Sequence, residues 1–239
     1  FCHTWLRTRG RDGLARTVTL GALAGLAALV RWQDIIVLIL PLGEFMHATI
    51  RRNRSVSDTI GHVALLGSFS LLLLVPQLVA WQSIYGQPMV MPQGEGFMRW
   101  TSPAVWSVLF SLKRGIVTWT PVVVIGAIGW RALVRRDQVL GWSAVAIGLV
   151  ALYINAAVSD WWAGEAFGPR RFISYTVFVA LGLAALFTSQ FWQRRQALLR
   201  WTTIGLITYN LLFVMQYQLF LRGFDQLAPY PTTASEVFI

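Results

Sequence analysis

The 239-residue sequence contains one cysteine, one lysine and three histidines, and only 13% of it is charged. A lone Cys2 makes no internal disulfide and says nothing about redox compartment. His3, His47 and His62 stand apart from one another and have no acids at ligand spacing, so no metal site held wholly within this chain is expected. His47 or His62 could ligate a pigment or haem singly, but lone membrane histidines are more often hydrogen-bonded within a bundle. A Walker sequence, a dinucleotide fingerprint, a nucleophile-elbow serine and paired haem ligands are all missing, as are short-period repeats and low-complexity segments. The chain opens on Phe1 with no signal-peptide pattern, so it is expected to be the later part of something longer.

What is abundant is apolar. Hydrophobic residues make up 56% of the chain and gather into blocks of about 17 to 23, the length that crosses a bilayer as helix. A soluble domain of this size buries roughly 70 to 75% of its unfolded surface, too little to hide every block. The expected fold class is therefore all-α, a polytopic transmembrane helix bundle with about seven spans. These fall at about 14–30, 35–50, 59–80, 115–134, 138–158, 172–191 and 201–221, followed by a polar tail over 222–239.

Local signals set the boundaries. Gly21, Gly25 and Ala28 allow close helix approach, which places the first span inside the bundle. The run from 14 to 50 is interrupted by Arg31-Trp32-Gln33-Asp34. As one helix of about 37 residues it would be near 55 Å long, well over the ~30 Å hydrocarbon layer, so two spans joined by a polar turn are expected. Ser57-Asp58 offers a cap for the third span, and Pro76 can kink it. Residues 81–115 form the longest interruption. Within it Ser102-Pro103 starts a segment that puts Val105, Trp106, Val108, Leu109 and Leu112 near one side. Too short to span, it is expected to lie in the interface as a helix.

Nineteen arginines and one lysine face ten acids, giving a net charge of +10. In a soluble protein that excess would suggest nucleic acid; here the basic residues cluster between spans. The loops at 1–16, 51–57, 131–137 and 192–200 hold 13 of them, and the longer alternate loops hold seven. The basic-rich set is expected to be cytoplasmic and the alternate loops and tail outside. Tryptophans at span ends, among them Trp5, Trp32, Trp81, Trp119 and Trp130, read as an aromatic belt.

Against this bias, Arg31, Lys113-Arg114 and Arg170-Arg171 fall at the outer rim. Together they could hold the phosphate or diphosphate of a lipid head group; singly, basic residues at helix ends snorkel and bind lipid non-specifically. The densest polar stretch runs from Asp160 to Arg171. Asp160 and Glu165 could serve as base or acceptor for a sugar stacked on Trp161 and Trp162. Equally, the two acids could pair with Arg170 and Arg171 to fold the loop, the tryptophans being belt residues.

Two of these segments resemble a known family. Leu109-Phe110-Ser111-Leu112-Lys113-Arg114-Gly115-Ile116-Val117-Thr118-Trp119-Thr120-Pro121 resembles a segment of bacterial members of the GT-C superfamily, polytopic glycosyltransferases that use polyprenyl-phosphate sugars and include protein mannosyltransferases and aminoarabinose transferases. Asp160-Trp161-Trp162-Ala163-Gly164 followed by Phe167-Gly168-Pro169-Arg170-Arg171 resembles their later outer loop, and the Arg31 hairpin is similar to theirs. The likeness covers most of the chain in layout and only these segments in detail. It implies a protein of the bacterial cytoplasmic (inner) membrane that transfers a sugar with inversion on the outer face. Arg31, Lys113, Arg114, Arg170 and Arg171 would meet the donor phosphate, where fixed positive charge stabilises the departing group. Asp160, Trp161, Trp162 and Glu165 would contact sugar or acceptor, and the lipid-phosphate sugar would be a substrate with no further cofactor. Arg114 stands where relatives often show His, and Glu165-Ala166 where they often show an aromatic residue and Ser. The family's catalytic acid lies in a first outer loop, upstream of the residues here, so this chain alone is not expected to be active.

A different class of function is also open: a non-catalytic subunit packed against other membrane subunits, for example of a respiratory or photosynthetic complex. Membrane lipids are expected partners on either reading and nucleic acid on neither. A transporter is a third reading, for which no buried mid-membrane charge pair is evident, Glu44 lying near the cytoplasmic end of its span.

Overall fold

The computed structural model describes residues 1–91, 93–163 and 167–221. The tail over 222–239 and Glu165 lie outside the described residues. The helices are α1 (Cys2–Thr8), α2 (Leu14–Val30), α3 (Ile39–Ile50), α4 (Val56–Tyr85), α5 (Val105–Phe110), α6 (Ile116–Trp119), α7 (Val122–Arg136), α8 (Gln138–Ala157), α9 (Thr176–Phe187), α10 (Gln190–Gln193) and α11 (Gln196–Leu221). Tight 3-10 turns over Trp32–Leu38 and Arg170–Tyr175 lead directly into α3 and α9. Among the described residues there is no strand, only an isolated bridge between Met98 and Val158, and the fold is all-α.

Among the described residues five helical stretches are long and apolar enough to cross a membrane: Trp32–Ile50, Val56–Tyr85, Gln138–Ala157, Arg170–Phe187 and Gln196–Leu219. This is an integral membrane protein. The other two expected spans are shorter. At 17 residues α2 is about 25 Å long, at the lower limit for crossing. The span expected over 115–134 is divided at Pro121, with α6 ending at Trp119 and α7 starting at Val122. Proline disfavours helical geometry in the residue before it, and Thr120 leaves the helix with φ −139° and ψ 65°.

Other expectations are corrected locally. The segment expected as a basic loop over 1–16 is partly helical, because α1 folds there and buries Trp5 completely. Trp5 and Trp119 are interior residues and not belt residues; their indole N–H groups donate to Glu44 Oε2 (2.8 Å) and to the Leu112 carbonyl (2.9 Å). The cap of α4 is Ser55, whose Oγ accepts from the Asp58 N–H at 3.0 Å, so the helix starts three residues early and runs 30 residues to a left-handed Gly86. The interfacial helix shrinks to six residues. Pro103 stays outside it because the segment before α5 is held on the end of α8: Ala104 N–H donates to the Ala156 carbonyl at 2.8 Å, and Ser159 N–H donates to the Phe97 carbonyl at 2.8 Å. The first of these bonds also satisfies a carbonyl that the end of α8 leaves open.

The chain divides into two units, Phe1–Glu95 with Asp137–Val150, and Gly96–Arg136 with the chain from Ala151 onward. In the first unit α2 and α4 run parallel. Thr17 Oγ1 lies 2.7 Å from His62 Nδ1, and Ser70 Oγ donates to the Gly21 carbonyl at 3.0 Å. A Cβ on Gly21 would lie 2.6 Å from the Leu66 carbonyl oxygen, and one on Gly25 2.6 Å from that of Ser70. Glycine at these positions is what lets two backbones touch where lipid removes the hydrophobic drive. Glu44 ties the N-terminal segment to this pair, accepting from Trp5 Nε1, from Gly10 N–H (3.0 Å) and from Arg16 Nη2 (2.6 Å). The Arg16 and Glu44 side chains are 7% and 14% exposed; Arg16 sits in the first turn of α2, so the pair lies at a helix end. Arg9 pairs with Asp137 through both terminal guanidinium nitrogens, Nη1 and Nη2.

The second unit repeats the device. Helices α7 and α9 run parallel, with Gly126 and Gly129 facing Val179 and Gly182. Trp130 Nε1 donates to the Phe178 carbonyl (2.9 Å), and Arg136 Nη1 donates to Thr188 Oγ1 (2.7 Å).

Candidate functional site

The site is built on a reverse turn over residues 160–163. Ala163 N–H donates to the Asp160 carbonyl at 2.8 Å, and Ala163 is left-handed at φ +61°. For a residue with a Cβ that conformation costs on the order of 1–2 kcal/mol. Ala163 is nevertheless buried, so the surroundings hold it there.

Three cations meet this turn. Lys113 Nζ lies 4.3 Å from the centroid of a Trp162 ring, a cation–π contact. Arg114 is 2% exposed, and its Nη1 donates to the Trp162 carbonyl at 3.3 Å. Arg171 Nη2 donates to Asp160 Oδ1 at 2.6 Å and to the Asp160 carbonyl at 3.3 Å. Trp161 stands edge-on to Trp162 with centroids 5.7 Å apart. Arg170, at the start of the 3-10 turn, is exposed.

Lys113 and Arg114 are presented by a second tight turn. Lys113 N–H donates to Ser111 Oγ (3.1 Å) and Gly115 N–H to the Ser111 carbonyl (2.7 Å). A Cβ on Gly115 would lie 2.6 Å from Ser111 N, so a side chain there would force the turn open.

Of the expected site residues, Lys113, Arg114, Asp160, Trp161, Trp162 and Arg171 come together. Arg31 belongs to the first unit, where it precedes the Trp32–Leu38 turn, and Glu165 lies outside the described residues. Between the two earlier readings of the loop, the ion pair of Asp160 with Arg171 is present.

Sequence reasoning missed the support beneath the turns. Trp119 packs against Phe167 (5.4 Å) and Phe213 (5.0 Å), Phe167 against Tyr217 (5.5 Å), and Tyr209 against Phe213 (4.8 Å). Tyr209 Oη donates to the Thr118 carbonyl at 2.5 Å. The signal was available: Tyr209, Phe213 and Tyr217 recur every fourth residue and so share one face of α11.

No protein-family model, curated protein or solved structure matches the chain. The chemistry of the site rests on its own geometry. Lys113, Arg114, Arg170 and Arg171 outnumber Asp160, so the described rim is cationic. Guanidinium and ammonium groups without a nucleophile–base pair suit the holding of an anion. Among the described residues no three His, Cys, Asp or Glu side chains gather to hold a metal. Beside Lys113, α5 presents an apolar face on which Trp106, 77% exposed, stacks with exposed Phe110 at 5.8 Å.

Proposed function

We propose that this chain is the membrane part of a glycosyltransferase that moves a sugar from a lipid-phosphate donor on the outer face of a bacterial cytoplasmic membrane, with its C-terminus outside. The rim of Lys113, Arg114, Arg170 and Arg171 receives the donor phosphate. The observation that carries this reading is the meeting of Lys113, Arg114 and Arg171 on one turn, with Arg170 exposed beside it. The resemblance of residues 109–121 and 160–171 to GT-C transferases supports it. A phosphate leaving group gains charge as the glycosidic bond breaks, and preorganised cations stabilise that charge without rearranging. Asp160, already bound by Arg171, suits a positioning role. The acid that activates the acceptor is not assigned to a residue of this chain.

A second reading draws on the same contacts. Lys113, Arg114 and Arg171 each hold the 160–163 turn, and no described residue of α11 is buried, which leaves a helix surface for a neighbouring subunit. On that reading the rim is structural and the chain is a non-catalytic subunit.

Reconstituted full-length protein separates the two. Polyprenyl-phosphate binding is expected to weaken about tenfold in Arg170→Gln, the loss of one charge-assisted hydrogen bond, with thermal stability unchanged. Equal binding by both proteins, together with stoichiometric co-purification of other membrane subunits, would favour the structural reading.

A further inference from the structure

We infer that α11 is a movable clamp on the cationic rim. Docked, it holds the Lys113-Arg114 turn and the 160–163 turn together; released, it frees both. The clamp is read from contacts, and its effect on phosphate binding rests on the transferase reading.

Tyr209, Phe213 and Tyr217 climb about 12 Å along one face of α11 and reach both halves of the rim. On one side Tyr209 Oη donates to the Thr118 carbonyl at 2.5 Å, and Phe213 packs on Trp119 at 5.0 Å. Trp119 Nε1 in turn donates at 2.9 Å to the carbonyl of Leu112, the residue before Lys113. On the other side Tyr217 packs at 5.5 Å on Phe167, four residues after Ala163. Trp119 and Phe167 meet edge to face at 5.4 Å, so the two halves share one aromatic cluster with α11.

The hold is one-sided. No described residue of α11 is buried, and its one glycine, Gly205, has nothing within 4 Å of its Cβ position. Helices α7 and α9, by contrast, meet at their backbones: a Cβ on Gly126 would lie 2.9 Å from the Val179 carbonyl oxygen. Apolar side chains lose little when a helix exchanges protein for lipid, so the bulk of α11 resists displacement weakly. The Tyr209 hydrogen bond and the ring contacts are what keep it docked. The rim itself favours opening, because Ala163 is buried in a left-handed conformation at φ +61°, which persists only under constraint. A phosphate that binds the closed rim more tightly than the open one must also favour docked α11.

The test is amide hydrogen exchange on the full chain in detergent, comparing wild type with Tyr209→Phe, which keeps the ring and removes the bond to Thr118. The Gly115 and Trp119 amides, and equally the Ala163 amide that Tyr209 does not bond, are expected to exchange about three- to tenfold faster, the loss of one hydrogen bond. Exchange in the α7–α9 seam is expected to be unchanged. Polyprenyl phosphate is expected to bind the variant more weakly by about the same factor, and to slow exchange along α11 in wild type. Acceleration confined to 111–119 would make Tyr209 a local support and overturn the inference. So would acceleration at neither turn, or undiminished phosphate binding with both turns accelerated. If wild type binds no polyprenyl phosphate, the transferase reading falls, and the exchange at the two turns alone upholds or overturns the clamp.

Discussion

Replacing Gly129 with alanine tests the packing of the second unit. A Cβ at this position would lie 2.0 Å from the Gly182 carbonyl oxygen, whereas real Cβ contacts essentially never fall below 3.0 Å. Both partners are backbone, so α7 and α9 must part by about 1 Å or more. The Trp130 Nε1 bond to the Phe178 carbonyl, 2.9 Å in the native seam, would then pass the usual limit for a hydrogen bond. Overpacking of this kind costs about 1–3 kcal/mol, and the lost bond about 0.5–1.5 kcal/mol. Alanine returns about 1 kcal/mol of helix propensity, so the net expected loss is about 0.5–3.5 kcal/mol. Gly205 is the control, because nothing lies within 4 Å of its Cβ position; Gly205→Ala is expected to be neutral or more stable by up to about 1 kcal/mol. Unfolding in mixed micelles of rising SDS content, read by tryptophan fluorescence, compares them. A Gly129→Ala protein as stable as wild type would refute the argument, as would equal destabilisation by Gly205→Ala.

The Arg9 hydrogen bond holds the Asp137 carboxyl below its ordinary value, and a backbone N–H from Leu140 adds to the effect. The stability this pair contributes is fully present above the ordinary carboxylate value of about 3.9 and is lost as pH falls through the lowered native value. Asp137→Asn keeps a good cap for α8. It is expected to be less stable than wild type at pH 6 and to converge with it only in acid below pH 4, as thermal unfolding between pH 2 and 6 will show. At the rim, Ala163→Gly trades relief of the left-handed strain against unfolded-state entropy and is expected to stay within about 1 kcal/mol of wild type. Ala163→Val is expected to cost about 1–3 kcal/mol and to weaken polyprenyl-phosphate binding; unaltered binding would detach the turn from the site. In a Cys2→Ser background, an impermeant thiol reagent added outside cells should label Gln93→Cys and spare Asn53→Cys. The reverse pattern would invert the orientation.

Legibility of the fold followed the range of the determining interactions. The bounds of α2 were readable because Gly13 and Arg31 flank a largely apolar run whose one charge, Arg16, lies in the first turn, and its small residues announced close packing. The break at Pro121 was missed because proline is tolerated near a helix start; here the resistance of Thr120 to helical geometry decided the outcome. The burial of Trp5 was not readable, since it depends on Glu44, 39 residues away. At the rim, composition drew attention to residues 160–171 but left open which arginine would meet Asp160. Successive residues in a 3-10 turn point about 120° apart, so adjacent Arg170 and Arg171 take different surroundings. The aromatic support from α11 arrives from residues that a span assignment treats as lipid-facing.

Both glycine seams join a helix to the next but one, which has a consequence for synthesis. The Gly21 carbonyl receives its bond from a serine 49 residues later, and Trp130 bonds a carbonyl 48 residues later. At a translation rate of about 5–20 residues per second, each interval lasts about 2–10 s. Throughout it the first helix of the pair is already made while its partner is still in the ribosome, its glycine-lined side unmatched in the bilayer or at the insertion machinery. Ribosome pausing between the two members of a pair would prolong that exposure, so the distribution of slow codons along the message becomes a determinant of correct assembly.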